Sequence, residues 1–247
     1  MQVYSEEQIA HVIKMQNWVR GFLTGMQQPH LPKIMTDIVS YLKKYQIEIS
    51  DKIEGEGRGG SLKDEGTVKQ VLQSSPFKEY IRDERARKFG DMIVLDYDQK
   101  TQHVVNIKTS EMKSADNCFS KVGIVYALTS LEPTSTELKP MNMDRMVSLI
   151  QQYKHDNKHK DYYFLCIDKA DSSNILCRGA KQIAHWNVNI NPSNILQINW
   201  KKEKATPPVD RTWDEAYDIL VNGAKRSTFE FIKNLPVEWR DELGMSR

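Results

Sequence analysis

The spacing of apolar residues divides the chain into a helical first part, a strand-rich middle and a helical end. Near the start, Ile9, Val12, Ile13 and Met15 recur at helical spacing behind Ser5, Glu6 and Glu7, an N-cap followed by an acidic first turn. This predicts a helix over 5–28, stopped by Pro29 and Pro32, and a second over roughly 33–47. Residues 55–66, GEGRGGSLKDEG, hold five of the chain's twelve glycines and predict a mobile loop or hinge. Short helices are expected after it, over 64–73 and 76–86.

From Gly90 the period changes. DMIVLDY (91–97) and HVVNIKT (103–109) have strand composition on either side of a DQK turn, which predicts a hairpin. Residues 117–131 predict a buried helix, Pro133 and Pro140 a loop, and 142–153 another helix. DYYFLCID (161–168) is a continuous apolar run, the pattern of a strand covered on both faces. ILCRG (175–179) is a partner for it, and NILQINW (194–200) a further strand. TWDEAYDILVNGAKRSTFEFIKNL (212–235) predicts a long helical stretch interrupted at Gly223. There is no internal repeat and no low-complexity segment. This order of elements predicts an α/β fold with a mixed central sheet flanked by helices. A helical N-terminal region would occupy 1–50 and one continuous domain 51–247.

Composition narrows the classes. The chain has 247 residues, 39% hydrophobic and 28% charged, which is ordinary for a globular domain. A net charge of +2 provides no global basic field, so a nucleic-acid surface would have to come from local segregation of charge. Cys118, Cys166 and Cys177 are odd in number and lack metal-type spacing, which fits free thiols in a reducing cytoplasm. The first residues lack a basic start followed by an apolar run, so no signal peptide is expected, and no apolar run reaches membrane-spanning length. Trp18, Phe22, Trp213, Phe229 and Phe231 read as core or dimer-contact aromatics.

The candidate chemistry lies in the hairpin. Antiparallel pairing brings Asp91, Asn106 and Lys108 near one end of it, and Asn106 and Lys108, two apart, share a face. Lys108 stands among apolar residues, an unusual place for an ammonium group without a task or a partner. Phosphodiester hydrolysis uses this set: oxygen donors for a hard cation such as Mg2+, and a lysine to orient water or to offset charge growing on phosphate. Asp96 and Asp98 are alternative acids, but they lie toward the turn. His103 reads as a half-exposed strand residue. His155 and His159 have a helical metal-pair spacing without an evident third ligand.

Asp91…Asn106-Ile107-Lys108 resembles the signature of the PD-(D/E)XK nucleases, with Gly90 where proline is usual and Asn106 where an acid is usual. Further segments resemble the HincII/HpaI-type restriction endonucleases of the EcoRV-like branch. These are Glu84-Arg85 before the first acid, Lys113-Ser114-Ala115-Asp116-Asn117 with Phe119-Ser120, Pro192 to Trp200, and Arg211-Thr212-Trp213. The resemblance implies a restriction-endonuclease-like core and a Mg2+-dependent type II site-specific deoxyribonuclease. Asp91 would be the main metal ligand, Asn106 the second strand position with a neutral oxygen, and Lys108 the catalytic lysine. Ile107 would lend its carbonyl, and Glu65 or Glu84 would be the upstream acid.

For DNA contact, Asn199, Lys201, Lys202 and Lys204 combine amide and cationic groups at a strand end. Ser114, Asn117 and Ser120 suit phosphate, base edges or helix caps equally. Arg58, and the run Arg82, Arg85, Arg87 and Lys88, suit a groove or a solvated face. The resemblance also implies double-stranded DNA with a palindromic site, a homodimer with the N-terminal helices in its interface, and functional pairing with a DNA methyltransferase. A nuclease of DNA repair or branched-DNA processing, and a non-catalytic DNA-binding protein, stand beside that reading.

Overall fold

A computed structural model describes residues 31–45, 47–49, 59–83, 90–131, 141–154, 160–191 and 194–242. The expected helix over 5–28, Arg58, Glu84, Arg85, Arg87, Lys88, the loop with Pro133 and Pro140, and the His155/His159 pair lie outside these residues. The chain divides between His30 and Leu31, and the unit from Leu31 onward contains every described element. Among the described residues no helix is long and apolar enough to cross a membrane.

Helix α1 (Lys33–Tyr45) buries Ile34, Met35, Ile38 and Leu42, one stripe at helical spacing. It is part of the core of this unit, so residues 31–49 belong with the sheet rather than with the preceding segment. Helix α2 spans Gly59–Gln73, where a glycine-rich loop was expected to continue to residue 66. Val68, Val71 and Leu72 give it an apolar stripe, and packing of that stripe outweighs the weak helix propensity of Gly59, Gly60 and Gly66.

A five-stranded sheet follows in the spatial order β1 (Ile81–Asp83), β2 (Met92–Leu95), β3 (Gln102–Ser110), β5 (Tyr162–Asp168), β6 (Ile175–Gly179). Only the β3–β5 pairing is parallel, with Asn106 opposite Phe164 and Lys108 opposite Cys166. The helix expected over 76–86 is instead a short turn and then β1 as far as Asp83, because Ile81 to Asp83 complete a ladder with β2. A second antiparallel sheet is ordered β4 (Ala115–Ser120), β8 (Asn194–Asn199), β7 (Trp186–Val188). Residues 117–120 are therefore strand where helix was expected. Helix α3 (Lys121–Thr129) begins only after Ser120, whose hydroxyl accepts from the Gly123 N–H at 3.2 Å. Helices α4 (Met143–Gln152), α5 (Trp200–Glu203), α6 (Trp213–Lys233) and α7 (Val237–Glu242) complete the described elements. The overall class is thus α/β with a mixed sheet and flanking helices, as the pattern of elements predicts.

Strand alternation assigns side chains to two cores. Val105 and Ile107 of β3, with Met92, Val94, Tyr163, Leu165 and Ile167, pack under α1 and α2. Val104 faces the other way, with Tyr162, Phe164 and Cys166, toward Phe119, α3, α4, β8 and α6. Strand β5 is buried at all seven positions because helices or the second sheet cover both its faces, the arrangement its unbroken apolar run predicts. Helix α6 is not interrupted at Gly223. A Cβ there would meet Leu196 Cδ2 at 2.8 Å, so the glycine permits close approach to β8 rather than ending the helix. His103, expected half-exposed, is fully buried edge-on to Tyr163. Trp213 is partly buried and donates to the Leu128 carbonyl at 2.8 Å, while Phe229 is exposed.

Asp161 opens β5 from a buried position. It accepts from the Tyr162 N–H at 2.7 Å and the Lys181 N–H at 3.0 Å. Burial pushes its carboxyl up to about 6, against the opposing pull of Lys181. A folded-state pKa above the ordinary 3.8 favours the protonated form, so Asp161 lends stability at low pH that is lost as pH rises through about 6. Asp161→Asn is expected to flatten the dependence of stability on pH between those two values, measured as urea midpoints. An unchanged slope would contradict the assignment.

Candidate active site

The site forms where β2 begins. Asp91 precedes the first residue of β2, and its N–H donates to the Val105 carbonyl at 2.9 Å. Its carboxylate Oδ2 accepts from the Ile107 N–H at 2.7 Å, taking the place of a strand partner. In an extended strand the N–H and C=O of one residue point to the same side. The Ile107 carbonyl is therefore directed toward the same notch at the sheet edge. Gly90 explains its own departure from the usual proline. A Cβ there would meet Val104 Cγ1 at 2.5 Å, and the β-branched Val104 is held in the core.

Lys108 rises from β3 beside Asp91. Its Nζ lies 3.0 Å from Glu65 Oε1 and 3.6 Å from Asp91 Oδ2. All three side chains are mostly withdrawn from solvent, with exposures of 20% for Lys108, 14% for Glu65 and 22% for Asp91. Burial, with the charge of Asp91 adding to it, raises the Glu65 carboxyl above its ordinary value, while Lys108 pulls the other way. Of the two acids expected upstream, Glu65 is brought to Lys108 by α2, and Glu84 lies outside the described residues. Asp64, next to Glu65, is buried and takes the Thr109 hydroxyl and the Lys169 ammonium, each at 3.2 Å. These contacts fasten α2 to the ends of β3 and β5.

Asn106 shares the sheet face of Lys108. Its Nδ2 donates to the Tyr162 hydroxyl at 2.6 Å, while its Oδ1 is buried with no hydrogen-bond partner among the described residues. An amide oxygen left so is costly unless something beyond the described residues engages it. Two carboxylates, one unpaired amide oxygen and one edge carbonyl form an all-oxygen donor set, the type that suits a hard divalent cation. Among the described residues no group of three or more His, Cys, Asp or Glu side chains could hold a metal. The neutral oxygens of Asn106 and Ile107 are therefore needed to complete such a site.

The alternative acids are used elsewhere. Asp98 caps the hairpin turn by accepting from the Lys100 and Thr101 N–H groups at 2.8 Å each, and Asp96 Oδ2 lies 3.5 Å from His103 Nε2. The expected DNA-contact stretches converge on the second sheet, where Ala115 pairs with Asn199 and Ser120 with Asn194. This sheet follows β3 directly, since β3 ends at Ser110 and β4 starts at Ala115. Within it, Asn199 caps α5 by accepting from the Lys202 N–H at 3.2 Å, and Ser120 caps α3. Ser114, Lys201, Lys202 and Lys204 are exposed, as is Arg82 on β1, and the Asn117 backbone lies in β4. Lys201 and Lys202 stand on a helical turn rather than on the strand end expected at Trp200.

Sequence reasoning missed Asp64 and Tyr162, which meet their partners across separations of 45 and 56 residues. For Tyr162 the sequence signal was a pair of adjacent tyrosines at the start of a mostly apolar strand. No protein-family model matches the chain, and no curated protein matches it. Gly90→Ala should destabilise the protein by about 1–3 kcal/mol, the usual cost of forcing an added methyl group into a packed site. A chemical-denaturation midpoint equal to wild type would show that Val104 yields freely.

Proposed function

We propose that this chain is a Mg2+-dependent endonuclease that hydrolyses phosphodiester bonds of double-stranded DNA at a short palindromic site, as type II restriction enzymes do. The observation that carries this reading is the meeting of Lys108 with Glu65 and Asp91, at 3.0 and 3.6 Å, beside the unpaired Asn106 oxygen. An ammonium group, two carboxylates and neutral oxygens at one sheet edge suit phosphoryl chemistry.

Asp91, Asn106 Oδ1 and the Ile107 carbonyl would hold the cation. Bound there, it would polarise a phosphodiester and lower the pKa of an attacking water. Lys108, carried on a strand fixed on both edges, presents ammonium protons to phosphate oxygen as negative charge grows there. Glu65 accepts a proton more readily than an exposed glutamate, because burial raises its carboxyl. On this reading the sheet after the catalytic strand meets DNA through Ser114, Asn117, Ser120, Asn199, Lys201, Lys202 and Lys204. The enzyme acts as a cytoplasmic homodimer, one site per strand, paired with a DNA methyltransferase.

Purified protein incubated with plasmid DNA and Mg2+ should give discrete fragments. Nicking that depends on branched or damaged structure would favour a repair nuclease, and DNA retention without cutting a binding protein. Lys108→Ala should lower the cleavage rate by roughly 10²–10⁴-fold, the usual contribution of a positioned proton-transfer group, while DNA retention in Ca2+ persists. Cleavage at the wild-type rate would remove Lys108 from the chemistry. Activity should also fall on acidification with a midpoint above 4.5, since the folded-state carboxyl of Glu65 titrates above that ordinary value. Glu65→Gln should move that limb to lower pH, and a limb that stays in place would assign it to another group.

A further inference from the structure

We propose that Tyr162 is a positioning residue for divalent-cation binding, its hydroxyl fixing the Asn106 amide so that Oδ1 rather than Nδ2 is presented to the ion. The inference rests on the nuclease reading of the site and goes beyond it by adding a residue that would not itself touch the ion.

An asparagine differs from an aspartate in one respect that matters here. A carboxylate presents oxygen whichever way it turns, whereas an amide presents either an acceptor oxygen or an N–H donor that repels a cation. A neutral ligand at this position therefore needs something to choose between its two ends. Tyr162 lies on the neighbouring parallel strand, one pleat along and on the same sheet face, since Val104 is its register partner and Phe164 is that of Asn106. Its hydroxyl accepts from Asn106 Nδ2 at 2.6 Å.

That hydroxyl is itself held in place. The Tyr162 ring is 3% exposed, with the Phe119 and Phe164 ring centroids 5.1 and 5.2 Å away, so its oxygen is a fixed point rather than a swinging one. With the nitrogen end of the amide engaged, the oxygen end is left buried and without a partner among the described residues. Residues that orient a metal ligand through a hydrogen bond commonly contribute 10–100-fold to metal affinity.

Calorimetric titration of the full chain with Mn2+, which reads binding without catalysis, tests the proposal in a double-mutant cycle. Tyr162→Phe keeps the ring and should weaken Mn2+ binding by about tenfold, with thermal melts of the ion-free protein confirming that it folds. Asn106→Asp should bind Mn2+ more tightly than wild type. In that background Tyr162→Phe should cost little affinity, because a carboxylate has no wrong end to present. A purely structural role for Tyr162 would instead weaken binding equally in both backgrounds and overturn the proposal, as would wild-type affinity in Tyr162→Phe. Should Tyr162→Phe fail to fold, Asn106→Leu carries the test: its shape is similar and it lacks the oxygen, so unchanged Mn2+ affinity overturns the inference. Absence of Mn2+ binding by the wild-type chain would defeat the cation-dependent reading itself, an outcome distinct from failure of the cycle.

Discussion

Where β2 stops, the Ile107 N–H of β3 has no ladder partner ahead of it, and the Asp91 carboxylate takes that place at 2.7 Å. Charge-assisted bonds of this kind are among the stronger ones a protein makes, on the order of 1.5–3 kcal/mol. This one has a geometric consequence as well. It turns the Asp91 side chain back onto β3, within 3.6 Å of the Lys108 ammonium. The site is thus a product of strand pairing ending at a particular residue. A β2 extended by one more paired residue would satisfy Ile107 with backbone and leave Asp91 free to turn away.

Charges mostly withdrawn from water at that edge need partners, and the fold supplies them from separate directions. Lys108 arrives on a central strand, Asp91 on the neighbouring strand and Glu65 on helix α2. A partly buried ammonium with two carboxylates is tolerable only as a set, since removal of one member leaves the others desolvated and uncompensated. The neighbouring contacts of Asp64 with Thr109 and Lys169 hold α2 in the register that places Glu65. The same logic extends beneath the charges to Asn106, whose amide has one end anchored by a rigid tyrosine. The aromatic cluster of Phe119, Tyr162, Phe164 and Trp186 therefore serves packing and also fixes a hydroxyl at the floor of the site.

The second sheet connects this edge to a wider surface. Only the four residues 111–114, with Met112 in the left-handed region at φ 49°, separate β3 from β4. The pairing of β4 with β8 then brings together two stretches about eighty residues apart in the chain. Some of their polar groups already cap helices, as Ser120 and Asn199 do, while Ser114 and the Lys201, Lys202 and Lys204 ammonium groups remain exposed. That division separates side chains used to terminate helices from those available to meet an anionic ligand.

Local pattern alone determined much of this protein. The hairpin from Met92 to Ser110, the doubly buried strand β5 and the long helix α6 follow from periodicity and caps, because burial imposes a period of 2.0 or 3.6 wherever an element has a face to hide. The proximity of Asp91 to Lys108 was legible for the same reason, being set within one hairpin. What pattern could not supply was anything that depended on which elements meet. Residues 117–120 lie ahead of an apolar helix and read as part of it, yet they belong to a strand that pairs with β8, since a strand partner from far along the chain competes with local propensity and wins. Glycines at 59, 60 and 66 read as a loop, yet contact with the sheet makes that segment a helix. Tyr162 could be named as a site residue only after β5 was placed against β3, and the meeting of Glu65, named from the resemblance, with Lys108 needed α2 in place as well. Hydrogen bonds and ion pairs act over a few ångströms of space, and only the folded chain decides which residues share them.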